Sequence, residues 1–259
     1  MICVYIIAGF AAGLCVGALG FADAVFANAI FAICLGSLGT ETTFLIVAGG
    51  AMAYTVNLLV MRKRNDWISW QKFATFFWLT ICGLITVIPT TLFIVPLISK
   101  HLVAINIVLA VLLLLVCGYN LTLKPITITE RAARRSILAI GFISGILGAI
   151  AGLSGVFTTI WVKARIAWTQ PEARGVYQPF IVVMDYAVLT IFLANFEMQL
   201  NIYEITAYVV SVSIGLTCSM VLIMTEKLKP KIIEKHLPRI INLVGVIAAL
   251  NLFFTAVWY

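Results

Sequence analysis

Long apolar stretches separated by short polar turns run the whole length of this chain. They cover roughly residues 2–36, 42–61, 73–98, 102–123, 136–162, 175–196, 202–225 and 237–258. A membrane-spanning helix needs about 20 apolar residues, so most of these stretches predict single crossings. Two do not fit that length, and both are laced with glycine. The first contains GLCVGALGFADAVFANAI from Gly13, the second GILGAIAGLSGVFTTI from Gly145. Offset by 132 residues without a gap, Gly13 meets Gly145, Gly20 meets Gly152, Asp23 falls opposite Gly155 and Phe26 opposite Thr158. Paired, glycine-interrupted apolar segments in corresponding positions of two halves point to a transporter's substrate site. The reason is local: a helix broken inside the membrane frees backbone N–H and C=O groups, which only buried protein or a wet cavity can satisfy.

The placement of charge orients these stretches. Four clusters, 62–72, 124–135, 163–174 and 227–239, hold every Lys and Arg of the chain except Lys100. Cytoplasmic loops concentrate such residues, so all four are assigned to the cytoplasm. The second glycine-rich stretch then begins and ends on one face, after Arg135 and before Lys163 and Arg165. With about 27 residues it is too long for one straight span and too short for two. It predicts a re-entrant or broken hairpin with its tip near Gly152 and Gly155. From there the 175–196 span runs outward, 202–225 inward and 237–258 outward. In the first half 42–61 runs inward, 73–98 outward and 102–123 inward. Corresponding spans oppose each other in direction, which predicts an all-α polytopic membrane protein of two inverted repeats, 1–123 and 124–259. Each repeat holds one glycine-rich hairpin and three spans. Eight simple spans are the alternative, at the expense of placing 124–135 or 163–174 outside.

Composition agrees with this class. Hydrophobic residues form 63% of the chain and charged ones 10%, with mean hydropathy +1.13, against about 25% charged in soluble domains. The net charge of +7 is explained by the four loops and does not indicate nucleic acid. All six cysteines sit in apolar stretches without a C-x-x-C pair, so neither zinc nor redox chemistry is indicated. No metal-ligand spacing or nucleotide motif is present, and no cofactor is expected. The apolar N-terminus has no Lys or Arg before Arg62 and is read as a retained membrane segment, since a signal peptide carries a basic leader.

Few polar residues lie at membrane depth. Asp185 is central in the 175–196 span, where a carboxylate costs about 2.5–3.5 kcal/mol. Arg174, Gln178 and Asp185 are spaced by four and seven, which puts them on one helical face, and Pro179 should kink that helix. The functional reading is that Arg174 attracts an anion, Gln178 hydrogen-bonds it and Asp185 handles a proton. The structural reading makes Arg174 a headgroup anchor and Asp185 a partner of a neighbouring helix. Asp23, just past Gly20, is a second proton carrier or a helix cap. Asn28 is a substrate donor or a bridge between helices. Ser154 and Thr158 share a face beyond Gly152 and Gly155, where neutral donors at a positive helix end suit an anion, or they are ordinary helix glue. Gly152-Leu153-Ser154-Gly155 also spells the G-x-S-G of intramembrane serine proteases. A Ser–His dyad would need His101 or His236, the only two histidines, and both lie at the ends of spans.

With these residues in place, the chain resembles the TauE/SafE family of anion permeases, sulfite and organosulfonate exporters. The resemblance rests on the two glycine-rich segments, on AGLSG at 151–155 and on Pro171-Glu172-Ala173-Arg174-Gly175-Val176-Tyr177-Gln178-Pro179-Phe180. It covers essentially the whole chain. One departure is Phe21-Ala22-Asp23 where many members carry further glycines. The resemblance implies a multi-pass protein of a bacterial or archaeal plasma membrane, not an enzyme, that exports small sulfur-containing anions. Its partners are then the anion and membrane lipid, with a homodimer left open. An anion channel and a serine protease using Ser154 are the competing functions.

Overall fold

The computed structural model describes residues 2–19, 23–35, 40–63, 70–99, 102–122, 127–165, 168–196, 201–224 and 230–258. The described chain forms α1 (Ile2–Leu19), α2 (Asp23–Leu35), α3 (Thr40–Lys63) and α4 (Trp70–Pro89). The last runs through a π-helical stretch (Thr90–Ile94) into α5 (Val95–Ser99). There follow α6 (Leu102–Thr122), α7 (Glu130–Ala151), α8 (Ser154–Lys163), α9 (Gln170–Asn195), α10 (Ile202–Met224) and α11 (Pro230–Trp258). Among the described residues there is no strand, only one isolated parallel bridge between Ile128 and Arg165. Among the described residues five helical stretches are long and apolar enough to cross a membrane: Glu41–Val60, Lys72–Leu97, Glu130–Ala151, Glu172–Asn195 and Ile202–Leu222. Large apolar side chains such as Phe93, Leu115, Leu193 and Phe254 are exposed on the outer faces. Lipid is the solvent that makes such a surface stable.

Close backbone approach organises the bundle. α1 lies along α10, and a Cβ on Gly9, Gly13 or Gly17 would overlap the Tyr208 carbonyl, the Val212 carbonyl or the Ser219 hydroxyl. Residues four apart share a helix face, so these three glycines form one seam. Small residues of this kind let membrane helices pack closely without a hydrophobic driving force. α7 meets α4 in the same way through Gly141 and Gly145. α3 packs on α9, α6 on α11, α2 on α11, and α8 on α7 and α9.

The two ends of the bundle differ in charge. At the basic end Arg165 is bound through two nitrogens by Glu130 and stacks on Trp168, with its centre 3.9 Å from that ring. Lys72 pairs with Glu172 nearby and lies 6.0 Å from the same ring. At the other end Glu41 and Glu204 both act on Tyr5.

The glycines divide between helix seams and the described break. Gly13 and Gly145 do not interrupt their helices; they lie inside α1 and α7 and serve contacts with α10 and α4. The second break is confined to Gly152 and Leu153, and Gly155 lies inside α8 with its open face on Ile181. The arms around that break are also unequal, 22 residues in α7 and 10 in α8. α7 starts six residues earlier than its apolar stretch because Thr129 accepts the Ala132 N–H as a cap and Glu130 lies in the first turn, both favourable at a helix start. At about 1.5 Å per residue this arm alone is long enough to cross the bilayer core. α9 similarly begins at Gln170, where Thr169 and Glu172 form a capping box, and it continues through Pro179.

Candidate functional site at the helix breaks

The end of α7 leaves carbonyl groups without helical partners, and side chains from distant elements complete them. Gly152 adopts the left-handed conformation with φ 66°, which glycine reaches at no steric cost. Its N–H returns to Gly148 O at 3.0 Å and that of Leu153 to Leu147 O at 3.1 Å. Asn28 of α2 donates to Ala151 O at 2.9 Å and to Ala24 O at 2.8 Å. Thr43 of α3 donates to Ile150 O at 3.0 Å. Asn28 therefore ties the first turn of α2 to the last carbonyl of α7.

Two carboxylates meet beside this junction. Asp23 begins α2 and Asp185 lies within α9, and both are buried. Tyr54 of α3 donates a hydrogen bond to Asp23 Oδ1. Ser154, the first residue of α8, donates to Asp185 Oδ1 at 3.1 Å. The remaining oxygens face each other across Gly50 of α3: a Cβ there would lie 2.8 Å from Asp185 Oδ2 and 3.1 Å from Asp23 Oδ2. Among the described residues no cation pairs with either acid. Stabilisation comes instead from the two hydroxyls and from the positive N-terminal ends of α2 and α8, which favour negative charge. A small cavity lies between them, lined by Asp23, Ala24, Tyr54, Gly152, Gly155, Val156, Ile181 and Asp185. It has room for about one water.

The other sequence candidates fall around this centre. Thr158 shares a 2.7 Å hydrogen bond with Ser144 of α7, a helix-to-helix contact. Gln178 is buried on α9, and Arg174 lies one turn nearer the basic end, its charge within reach of Tyr177. Gly20 lies outside the described residues, as do His101 and the side chain of His236. Ser154 spends its described hydrogen bond on Asp185.

Sequence reasoning missed Tyr54 and Gly50. A signal existed: the 132-residue offset carries Tyr54 to within one position of Asp185. It was visible only by extending the register beyond the glycine segments.

The family model described as sulfite exporter TauE/SafE matches residues 5–252, nearly the whole chain. No curated protein and no solved structure matches.

Proposed function

This chain belongs to the sulfite exporter TauE/SafE family, and from that premise we propose that it exports sulfite or sulfoacetate-like organosulfonates with coupling to protons. It is a multi-pass membrane protein of a transporter family. The observation that carries the finer reading is the pair of carboxylates at the positive ends of α2 and α8, facing each other across Gly50. Helix N-termini of this kind bind anions, and here the protein's own carboxylates stand in that place. A substrate anion entering the cavity competes with them for the same dipoles and repels them. Proton uptake by the pair removes the repulsion, so anion and proton movements are linked. Asp23, Asn28, Gly152, Ser154 and Gly155 would line the passage, with Gln178 and Arg174 on the approach. Thr158 would hold α8 on α7.

Two inverted halves would supply the alternation. In support, contacts are exchanged between the halves: α1 packs on α10 as α7 packs on α4, and α3 packs on α9 as α6 packs on α11. A re-entrant α7–α8 hairpin is supported by Ile128 N–H, which donates to Ala164 O at 2.8 Å and so joins its two ends. On this reading the basic end is cytoplasmic. Cysteines placed at Asp66, Glu130, Trp168 and Ile232 should then react from one side, and those at Gln199 and Tyr259 from the other. Opposite labelling of positions 130 and 168 would remove the hairpin.

The function is tested in proteoliposomes loaded with sulfite, sulfoacetate, taurine, sulfate or thiosulfate under an imposed pH gradient. Saturable efflux of the first two that responds to the gradient is expected. Flux that ignores both the gradient and opposing substrate would instead indicate a channel.

A further inference from the structure

The central cavity is walled by two carboxylates, so an anion arriving while they are charged needs somewhere else to rest. The packing of α8 on α9 supplies a place. Along one face of α8, Gly155 abuts Ile181 and Lys163 holds its Nζ 5.9 Å from the centre of the Tyr177 ring. Thr159 lies one turn from each, so it shares that face and is directed at α9 between Tyr177 and Ile181. Its hydroxyl is buried without a hydrogen-bond partner, and the residue is 1% exposed. Such an orphan costs stability unless something else satisfies it. Tyr177 is fully buried and Gln178 beside it likewise, and the Arg174 charge reaches the Tyr177 hydroxyl.

We propose that Thr159, Lys163, Arg174 and Tyr177 form a second anion site between α8 and α9, on the basic side of the carboxylate pair. Its ligand is a compact oxyanion of the sulfite or sulfonate type. Two hydroxyl donors and two cations complement several oxygens on one centre, and charge-assisted hydrogen bonds of this kind are the strong ones. The site rests on the exporter reading and extends it: the anion waits here until the carboxylates take up protons, then moves on to the helix breaks.

The test is sulfite binding to the purified full-length protein, measured by calorimetry under anaerobic conditions. Thr159→Val and Tyr177→Phe each remove one hydroxyl and keep the shape. Each is expected to weaken sulfite about tenfold, while Thr159→Ser, which keeps the donor, retains affinity. Unchanged affinity in both hydroxyl-deleting variants overturns the site. If Thr159→Val does not fold, Lys163→Gln decides together with Tyr177→Phe. Weaker binding with a shallower salt dependence supports the site, and unaltered binding overturns it. A wild-type protein that binds none of sulfite, sulfoacetate, taurine, sulfate and thiosulfate removes the exporter reading and the site with it. Binding that persists through the variants removes the site alone.

Discussion

The starts of the short helices α2 and α8 exchange their chemistry. In the first half the short arm begins with an acid, Asp23, and the following span supplies the hydroxyl, Tyr54. In the second half the short arm begins with a hydroxyl, Ser154, and the following span supplies the acid, Asp185. Each half thus contributes one carboxylate with one donor, and Gly50 lets the two carboxylates face each other. The donors are unequal. A phenol is the more acidic hydroxyl and so the stronger donor. Asp23 is therefore the more firmly held acid and Asp185 the one better placed to change partners. The two acids are thus an unlike pair.

The long arms give the largest test. Leu at Gly13 would drive into the Val212 carbonyl, with Leu216 N only 2.7 Å from the new Cβ. Leu at Gly145 would meet Thr86 and the Gly83 carbonyl. Overpacking costs about 1–3 kcal/mol where side chains can yield, and backbone yields less. Both variants should lose most folded protein, read as monodisperse yield and thermal unfolding. Gly118→Ala, with nothing within 4 Å, should match wild type. Stable Gly13→Leu protein would remove the seam between α1 and α10, and with it the exchanged packing of the two halves.

Gly50→Ala acts on the site itself. Its methyl would sit 2.8 Å and 3.1 Å from the two carboxylate oxygens, so the acids must separate. Sulfite transport should fall tenfold or more, about 1.4 kcal/mol in barrier, with the protein still folded. Wild-type transport in that variant would show that the acids need not face each other.

The acids can then be compared directly. Asn keeps the size and the hydrogen bonds to Ser154 or Tyr54 but cannot titrate. Asp185→Asn should flatten the pH profile of net sulfite transport and leave exchange of sulfite for sulfite intact. Asp23→Asn should flatten it less and cost more stability, since a neutral amide oxygen is a weaker acceptor for Tyr54 than a carboxylate. A wild-type pH profile in the double variant would exclude the pair as the coupling site.

Much of this arrangement was legible in the sequence, and the losses have physical causes. Glycine spacing located the break at 152 because glycine takes the left-handed turn there at no steric cost, but the same letters also mark seams. Gly13 and Gly145 are seam residues, and no pattern within one segment separates the two uses. Asp23 and Asp185 stood out as carboxylates in apolar runs. Their meeting did not, because it depends on Gly50, a residue notable only for lacking a side chain. Asn28 and Thr43 act on carbonyls of α7 more than 100 positions away, a pairing that only tertiary structure reveals.

Arg174 lies on α9 about three turns from Asp185 and should have a moderate effect. Arg174→Gln removes a charge that concentrates anions and should weaken sulfite several-fold. Lys should restore part of the loss, keeping charge without the planar fork. Unchanged affinity of folded Arg174→Gln protein would leave it as a headgroup anchor.

The smallest effect is expected at Ser154. Ser154→Ala deletes the 3.1 Å bond to Asp185, the weaker of the two hydroxyl bonds, and leaves a buried carboxylate with one donor fewer. A lost hydrogen bond to a charged group is worth about 1.5–3 kcal/mol. Part of that returns, because the α8 helix end still faces Asp185 and a water fits the cavity. Transport should fall less than tenfold and keep its pH dependence, whereas Tyr54→Phe, deleting the stronger donor, should cost more. The order matters because it follows from the unlike donors alone. It also separates the carrier from a protease, since a nucleophilic serine replaced by alanine loses several orders of magnitude in activity. Equal losses in Ser154→Ala and Tyr54→Phe would make the two half-sites equivalent and refute the asymmetry drawn between them.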